Sequence, residues 1–377
     1  MDDEPVRGQC VPPGTGHIRR AVAGPAPPGP GAAGPRVHPC RPLTSAARTA
    51  PDQGCPRTRH PTTVTGRCAG PVCPARDRYT KRYGGGTVHG GDGGGDGTGR
   101  LLAVSDLHSA IGDNRQHVDA VRPMSDGDWL VVAGDVAETS TDIEATLRTL
   151  AGRFAKVVWA PGNHELWTVP SDPLQLRGEK RYRHLVEMCR ELGVVTPEDP
   201  YPVWRGPGGP LTVAPLFVLY DYTFRTPTAS SKEESLAQAE KAGIVCTDEY
   251  LLDPAPYAGR DAWCRARVME TEERLAAVDP SAPLVLVNHF PLVREPTRVL
   301  RYPEFAQWCG TELTADWHVR FPTAAVVYGH LHIPRTTWHD GVRFEEVSLG
   351  YPREWRARGL PLGTNPCRQI FPELEKA

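Results

Sequence analysis

Five short motifs rich in histidine and aspartate occur in order along this 377-residue chain, all of them after residue 100. They are Asp106-Leu107-His108, Gly134-Asp135, Gly162-Asn163-His164-Glu165, Asn288-His289 and Gly329-His330-Leu331-His332. Together they offer carboxylate, imidazole and amide ligands without thiolate, a set that suits Mn, Fe or Zn. Two such ions about 3.5 to 4 Å apart can activate water and neutralise a phosphoryl group. The motifs therefore predict a two-metal site that hydrolyses phosphoesters, with the central Asp135 as the natural bridge between the ions.

The spacing of the motifs indicates the elements that must position them. Asp135 follows His108 by 27 residues and Asn163 follows Asp135 by 28, about the length of a strand, a helix and a return strand. Each motif comes just after a short apolar run that predicts a strand, at residues 101–104, 129–133, 156–159, 284–287 and 324–328. Because ligands bind beyond the carboxyl ends of the strands in an open α/β sheet, we expect residues 106 to 332 to share one pocket.

Four further segments predict helices. The clearest follows a helix-start signal at residues 140–142, where Ile143, Leu147, Leu150 and Phe154 repeat at helical spacing, as expected of a crossover helix. Similar but weaker patterns cover residues 179–192 and 260–278. A more polar helix is expected at residues 230–243, exposed over the site.

The composition changes sharply near residue 100. Residues 1–99 are dominated by Pro, Gly, Arg, Ala and Thr without apolar periodicity, which predicts a disordered tail. Residues 100–360 have the pattern of one globular domain with a sizeable core, and residues 361–377 are expected to form a C-terminal tail. Residues 1–100 carry 14 Lys and Arg against 7 Asp and Glu, and the remainder carries 29 against 38. The tail is therefore positive, at +7, and the rest of the chain is negative, at −9.

The tail also raises a question about the start of the native chain. Met1 is followed by no other methionine until Met124. The Gly, Pro, Arg and Ala mixture is typical of translated GC-rich sequence upstream of a gene. We therefore expect the native chain to begin near Val88 or Leu101, with part of the tail arising from a mis-assigned start.

Charge and apolar patterning exclude several function classes. An acidic domain argues against an enzyme that tracks the phosphate backbone of nucleic acids. The chain has neither a secretory signal nor a run of about 20 apolar residues that could span a membrane. Its ten cysteines form no CxxC pair, which argues against a structural zinc site. We expect a cytoplasmic protein whose partners include neither nucleic acid nor membrane.

The five motifs resemble those of the calcineurin-like metallophosphoesterase superfamily. The resemblance implies an α/β, four-layer fold of two packed mixed β-sheets flanked by helices, and two divalent or trivalent ions, Mn and/or Fe with Zn as an alternative. Carried over residue by residue, the first ion would be held by Asp106, His108 and His332 and the second by Asn163, His289 and His330, with Asp135 bridging both. His164 matches the catalytic histidine, which lies outside the metal ligands, and Glu165 would support a neighbouring loop or a ligand imidazole.

Two differences in sequence argue against two well-known branches of the superfamily. The second motif lacks the Asp-Arg-Gly triplet of protein serine/threonine phosphatases, because the chain continues Val136-Ala137-Glu138-Thr139. Glu138 also occupies the position of the tyrosine ligand in purple acid phosphatases. Neither branch is therefore favoured.

Longer strings resemble the actinobacterial phosphopantetheinyl hydrolases. They are DWLVVAGDVAE, FAKVVWAPGNHELWT, FVLYDYTF, VLVNHFPLVREP, YPEFAQWCGT and GHLHIPRTTWHDGVRFEEVSLGYPREW. This similarity covers roughly residues 101–355 and implies removal of 4'-phosphopantetheine from the serine of a holo acyl carrier protein. The serine leaves as an alkoxide that needs a proton or an ion as the bond breaks, a role that suits His164.

An acidic carrier protein would need a basic docking surface. Three clusters are candidates: Arg177, Lys180, Arg181 and Arg183; Arg294, Arg298 and Arg301; and Arg353, Arg356 and Arg358. A charge run is ordinarily a solvated face. The cluster at residues 294–301 is favoured for docking because it follows the His289 motif directly.

Aromatic residues offer a second candidate contact with the substrate. Tyr220, Tyr222, Trp308 and Trp317 lie outside the metal motifs and could wall the pantetheine arm. The alternative, equally consistent with the sequence, is that they fill the core.

Two other functions stay open at this point. A phosphodiesterase or phosphatase for a small nucleotide-like molecule would use the same metals beneath a different cap. A non-catalytic scaffold would keep only the fold. The complete set of ligands argues against the scaffold, because protein binding has no physical need for them.

Overall fold

Two packed sheets form the centre of the computed structural model, which describes residues 99–373. Within that range the strands are β1 (Leu101–Val104), β2 (Trp129–Val132), β3 (Lys156–Trp159), β4 (Val203–Trp204), β5 (Leu211–Pro215), β6 (Leu284–Val287), β7 (Thr323–Tyr328), β8 (Arg335–His339), β9 (Val342–Glu346) and β10 (Arg368–Phe371). The five strands predicted from the sequence are confirmed as β1, β2, β3, β6 and β7. Residues 1–98, nearly all of the expected N-terminal tail, lie outside the described part of the chain.

Helices connect these strands. They are α1 (Asn114–Ala120), α2 (Ser140–Ala151), α3 (Asn163–Leu166), α4 (Gly178–Glu191), α5 (Lys232–Lys241), α6 (Asp248–Leu251), α7 (Arg260–Ala276), α8 (Trp317–Arg320) and α9 (Pro352–Ala357). The expected crossover helix is α2, and its first turn is capped by the Thr139 hydroxyl, which accepts a hydrogen bond from the amide of Asp142. The other three predicted helices are α4, α5 and α7.

Parallel strands dominate both sheets. The first sheet has the order β10-β1-β2-β3, in which β1, β2 and β3 are parallel and β10 is antiparallel to β1. The second has the order β4-β5-β6-β7-β9-β8, with antiparallel strands only at its two edges. Because parallel neighbours run in the same direction, their carboxyl ends meet at one edge of each sheet.

Alternation of side chains along the strands builds two apolar clusters. Leu101 and Ala103 of β1 point into a cluster shared with Val213 and Val285 of the second sheet. Leu102, one residue along, points into the larger cluster that contains the buried faces of the helices. The two sheets therefore pack face to face with helices on their outer faces, which confirms the predicted four-layer α/β fold.

The folded domain extends beyond the boundary predicted at residue 360. Arg368–Phe371 is the strand β10, which pairs with β1 and buries Ile370 and Phe371. This corrects the expectation that residues 361–377 form a tail. Only two of the four strand residues are apolar, and a four-residue edge strand has too little periodicity to be recognised in the sequence.

Two properties of the described chain bear on its environment. Of its five cysteines, Cys367 is half-buried and the other four are buried. None of the helices in residues 99–373 combines the length and the apolar character needed to cross a bilayer.

Candidate metal centre

The five motifs lie in the loops that follow β1, β2, β3, β6 and β7, at the carboxyl ends of parallel strands from both sheets. Backbone hydrogen bonds join neighbouring loops, from the amide of Asp106 to the carbonyl of Gly134 (2.9 Å) and from the amide of Gly329 to the carbonyl of His289 (2.9 Å). Side chains from all five loops meet in one buried cluster, as the spacing of the motifs predicts.

The backbone of these loops is unusual. Asp106, His108, Asp135, His330 and His332 have φ angles between 40° and 69°, and they are five of the seven non-glycine residues with positive φ in the described chain. This left-handed conformation costs an ordinary residue about 1–2 kcal/mol, although Asp and His adopt it more readily than most. Such strain, concentrated on polar side chains, is typical of a functional site.

The first ligand group consists of Asp106, His108 and His332. Nε2 of His332 lies 2.9 Å from Oδ1 of Asp106 and 3.4 Å from Nε2 of His108. The other ring nitrogen of His332, Nδ1, lies 2.6 Å from Oε2 of Glu354, which leaves Nε2 directed at the group. The three donor atoms lie within 4.8 Å of one another, a separation that one ion can span.

Asp135 lies between this group and a second one. Its Oδ2 is 4.0 Å from Nε2 of His108 in the first group and 3.4 Å from Nε2 of His289 in the second. Oδ1 of the same carboxylate accepts a hydrogen bond from the amide of His164 at 2.9 Å. The carboxylate therefore faces both groups, as a bridging ligand must.

The second ligand group consists of Asn163, His289 and His330. Oδ1 of Asn163 lies 3.1 Å from Nε2 of His289, whose Nδ1 donates to the carbonyl of Ala133 at 2.9 Å. The ring of His330 lies 5.1 Å from that of His289, centroid to centroid. Nε2 of His330 is buried and has no hydrogen-bond partner among the described residues. A buried ring nitrogen without such a partner, on a ring next to that of His289, fits a coordination position.

The pKa values of the cluster's side chains also favour a bound cation. Burial opposes ionisation of Asp106, but the imidazoles of His332 and His289 outweigh it and hold the Asp106 pKa below its usual range. Burial likewise opposes protonation of His289, but Asp135 and Asp106 raise its pKa to about 10. His330 behaves differently, because burial and the neighbouring His289 lower its pKa to about 3 and keep the ring neutral. Buried carboxylates that attract positive charge beside a neutral imidazole suit a bound cation.

His164 lies beside the ligand groups, in α3. Its Nδ1 is 3.0 Å from Oε1 of Glu138, and its Nε2 is 3.8 Å from Oδ2 of Asp135 and 3.5 Å from the hydroxyl of Tyr351. The indole of Trp167 packs against the ring, with centroids 3.6 Å apart. The contact with Glu138 fixes the tautomer that carries a proton on Nδ1 when His164 is neutral. The sequence analysis noted Glu138 only because it replaces the tyrosine ligand of purple acid phosphatases. Its contact with His164 was not predicted, although its position three residues after Asp135 could have indicated a place in the site.

Glu165 holds the loops that carry Asp135 and Asn163. Its carboxylate accepts hydrogen bonds from the amides of Asp135 (2.9 Å), Val136 (2.8 Å) and Gly162 (2.9 Å). Of the two supporting roles expected for Glu165, the geometry corresponds to support of the loop. Burial and the charge of Asp135 raise the Glu165 pKa to about 7.

Arg181 is a buried support and no part of a basic surface. Its guanidinium forms an ion pair with Asp172 at 2.7 Å and donates to the carbonyls of Glu165 (2.6 Å) and Glu138 (2.9 Å). Its side chain is 1% exposed. Because it is buried, Arg181 does not belong to the exposed basic cluster at residues 177–183. Its hydrogen bonds instead connect α4 to the loops of the site.

The favoured docking cluster differs from Arg181 in exposure. The side chain of Arg298 is 72% exposed and pairs with Glu295 at 3.3 Å. That of Arg294 is 31% exposed, contacts the carbonyl of Arg225 and lies 3.7 Å from Glu312. Arg301 is exposed as well, so Arg298 and Arg301 are the members accessible to a partner.

The four candidate aromatic residues are buried in the larger core cluster: Tyr220, Tyr222, Trp308 and Trp317. This favours the core alternative and corrects the idea that they wall a substrate arm. Tyr222 and Trp308 each donate to Oε1 of Glu249 at 2.8 Å, so their polar atoms serve the structure.

The comparisons with known proteins agree with the geometry. A sequence model of the calcineurin-like phosphoesterase family matches residues 99–334. The acyl-carrier-protein phosphodiesterase PptH of Mycobacterium tuberculosis is 58% identical over 277 residues, which make up 74% of this chain and 85% of that protein. The crystal structure of phosphopantetheinyl hydrolase PptH from the same organism superposes with a TM-score of 0.73 at 55% identity, over 74% of this chain and 99% of that one.

These matches confirm both resemblances found in the motifs and the longer strings. The family match spans more than half of the chain, and the match to PptH spans most of both proteins. The chain belongs to the calcineurin-like phosphoesterase family.

Proposed function

We propose that this protein is a metal-dependent phosphodiesterase that removes 4'-phosphopantetheine from the serine of a holo acyl carrier protein. The observation that carries the proposal is the buried cluster of motif side chains, in a chain 58% identical to an acyl-carrier-protein phosphodiesterase. The products are the apo carrier protein and free 4'-phosphopantetheine. The buried thiols of Cys189 and Cys264, which form no disulfide in the described chain, fit a reducing compartment such as the cytoplasm.

The ligand assignment follows the two groups. We assign one ion to the first ligand group and one to the second, with Asp135 shared between them. Oxygen and imidazole donors without a thiolate suit Mn, Fe or Zn, and we favour Mn and/or Fe. Two ions bound there would supply a nucleophilic water at neutral pH and offset the negative charge of the phosphoryl group.

His164 and Asp135 are the residues we assign to catalysis. Water loses a proton to solvent and attacks phosphorus as the bond from phosphorus to the serine oxygen breaks. His164 in its imidazolium form donates the Nε2 proton to the leaving oxygen and then regains a proton from solvent. Oε1 of Glu138 accepts a hydrogen bond from Nδ1 of His164 at 3.0 Å, which keeps Nε2 turned toward the ligand groups. Trp167 packs on the ring and limits its rotation.

The carrier protein would dock on the exposed arginines that follow the His289 loop. Exchange of Arg298, which is 72% exposed, for glutamate should raise KM for the carrier protein about tenfold and leave kcat unchanged, because the side chain acts on encounter. A small phosphodiester should be cleaved at the wild-type rate. An unchanged KM would remove this surface from the proposal.

Intact mass of a purified holo acyl carrier protein, after incubation with this protein and Mn²⁺, tests the function directly. We expect the carrier to lose the mass of phosphopantetheine. His164→Ala should abolish the loss, whereas His184→Ala, a half-buried histidine of α4 outside the centre, should not. An unchanged carrier beside intact Mn²⁺-dependent cleavage of a simple phosphodiester would point to a small nucleotide-like substrate. If neither substrate is cleaved, the remaining alternative is a non-catalytic scaffold.

A further inference from the structure

We propose that Asp248 is a positioning residue that fixes the amide of Asn163 with its oxygen toward the second ligand group. The proposal deepens the function proposed above and rests on its ligand assignment. Asp248 is the first residue of α6, which lies between β5 and β6 and carries none of the five motifs.

The contacts of Asp248 are buried and directional. Its side chain is inaccessible to solvent, and its Oδ1 accepts a hydrogen bond from Nδ2 of Asn163 at 2.9 Å. Nε1 of Trp167 donates to the same oxygen at 2.6 Å. On the other side of the amide, Oδ1 of Asn163 faces Nε2 of His289 at 3.1 Å.

The two ends of an asparagine amide have opposite chemistry. The oxygen has lone pairs and can coordinate a cation, whereas the NH₂ group only donates. A flip of Asn163 would turn its NH₂ toward the ion and set its oxygen against the carboxylate of Asp248. Trp167 strengthens the arrangement, because an indole N–H only donates and therefore requires Oδ1 of Asp248 to be an acceptor. The pair thus excludes the orientation that cannot bind metal.

The helix that carries Asp248 is itself tied down. The next residue, Glu249, accepts hydrogen bonds from Tyr222 (2.8 Å), Trp308 (2.8 Å) and Arg260 (2.9 Å). Arg260 also donates to the carbonyl of Asp248 at 2.6 Å. Partners from three separate segments therefore hold α6 in place.

Two substitutions of similar shape distinguish the role of Asp248 as a hydrogen-bond acceptor from its role in filling space. Asp248→Asn keeps an oxygen for Asn163 and Trp167, whereas Asp248→Leu fills the same space with no acceptor. Titration of the metal-free protein with Mn²⁺ by calorimetry should show two ions in the wild type. We expect Asp248→Leu to weaken the second ion at least tenfold and Asp248→Asn to stay within about threefold, with the first ion unchanged in both.

Electron paramagnetic resonance of the Mn²⁺-loaded proteins gives an independent readout. The wild type and Asp248→Asn should show the signal of two coupled ions, and Asp248→Leu the signal of one. Asn163→Ala serves as the reference for loss of the second ion. If Asn163→Ala loses that ion but folded Asp248→Leu binds both as the wild type does, the positioning role is overturned and the proposed function stands.

Two further results would also overturn the role. Equal losses in Asp248→Asn and Asp248→Leu would show that the acceptor is not what matters. A wild type that binds fewer than two ions would overturn the ligand assignment together with the role of Asp248. If Asp248→Leu does not fold, a crystal structure of the Mn²⁺-loaded wild type decides: the amide oxygen of Asn163 on the ion with Nδ2 on Asp248 supports the role, and loss of that contact overturns it.

Discussion

The two proposed ligand groups differ in charge although the assignment gives Asp135 to both. The first contains the carboxylate of Asp106, and the carboxylate of Glu354 stands behind His332 at 2.6 Å. The second contributes a neutral amide, and its His330 ring is neutral as well. Because the attraction of a cation grows with the number of nearby carboxylates, we expect the first group to fill at a lower metal concentration than the second. We therefore expect this one cluster of similar residues to bind two ions with unequal affinity.

The largest effect is expected from the residue that both groups share. Asp135→Ala should weaken both ions and lower kcat/KM for the holo carrier protein on the order of 1,000-fold, about 4 kcal/mol of transition-state stabilisation. Calorimetry with Mn²⁺ and rate measurements would check this. If only one ion is weakened, Asp135 belongs to one group and is not a shared ligand.

Loss of a ligand from the weaker group should have the next largest effect. His330→Ala removes the neutral nitrogen that has no hydrogen-bond partner in the described chain, so we expect the affinity for the second ion to fall on the order of 100-fold while the first ion is unaffected. Stepwise Mn²⁺ titration resolves the two events, with His184→Ala as the histidine control. A fall in the affinity of the first ion would contradict the grouping.

The first ligand group, which we expect to bind its ion more tightly, is tested by removing the charge of Glu354 next to His332. Glu354→Gln keeps an acceptor for Nδ1 of His332 but removes the carboxylate, so the first ion should bind roughly 10-fold more weakly, at the low end for such a supporting residue. The second ion should bind as before. Equal affinities of the two ions in the wild type would contradict the expected difference between the two groups without any mutation.

A change of one pH unit should have an effect no larger than that of Glu354→Gln. Asp135 and Asp106 outweigh burial and raise the His289 pKa to about 10, so at pH 7 this ring carries a proton that must leave before it can coordinate. The cost of losing that proton falls as the pH rises toward 10. The affinity for the second ion should therefore increase about tenfold per unit between pH 7 and 9. Calorimetry at three pH values, in buffers of different ionisation enthalpy, would also count the protons released; release of none would refute this.

The sequence predicted the parts of the centre that lie directly after strands. The apolar runs before Asp106, Asp135 and His289 are strong local signals, and their common direction in the sheets brings the motifs together. The strands that were missed are mostly edge strands. The edge strand β8, for example, reads RTTWH and has the polar surface that protects an exposed edge from aggregation.

The supporting residues could not be predicted because nothing local marks them. Asp248 is 85 residues from Asn163, and Glu354 is 22 residues from His332, and each pair meets only after the chain has folded. Arg181 was misleading for the opposite reason. The other basic residues of its cluster, Arg177, Lys180 and Arg183, are exposed, so the burial of Arg181 becomes visible only when α4 packs against the loops.

The left-handed backbone at five of the ligand positions has a consequence for protein design. A designer who transplants this centre to another scaffold must copy a set of backbone angles as well as side chains, because a loop in ordinary right-handed or extended conformation would aim the same aspartates and histidines elsewhere. Glycine would adopt these angles easily but brings no ligand. Candidate host loops can therefore be screened by their backbone torsions before any metal ligand is written into them.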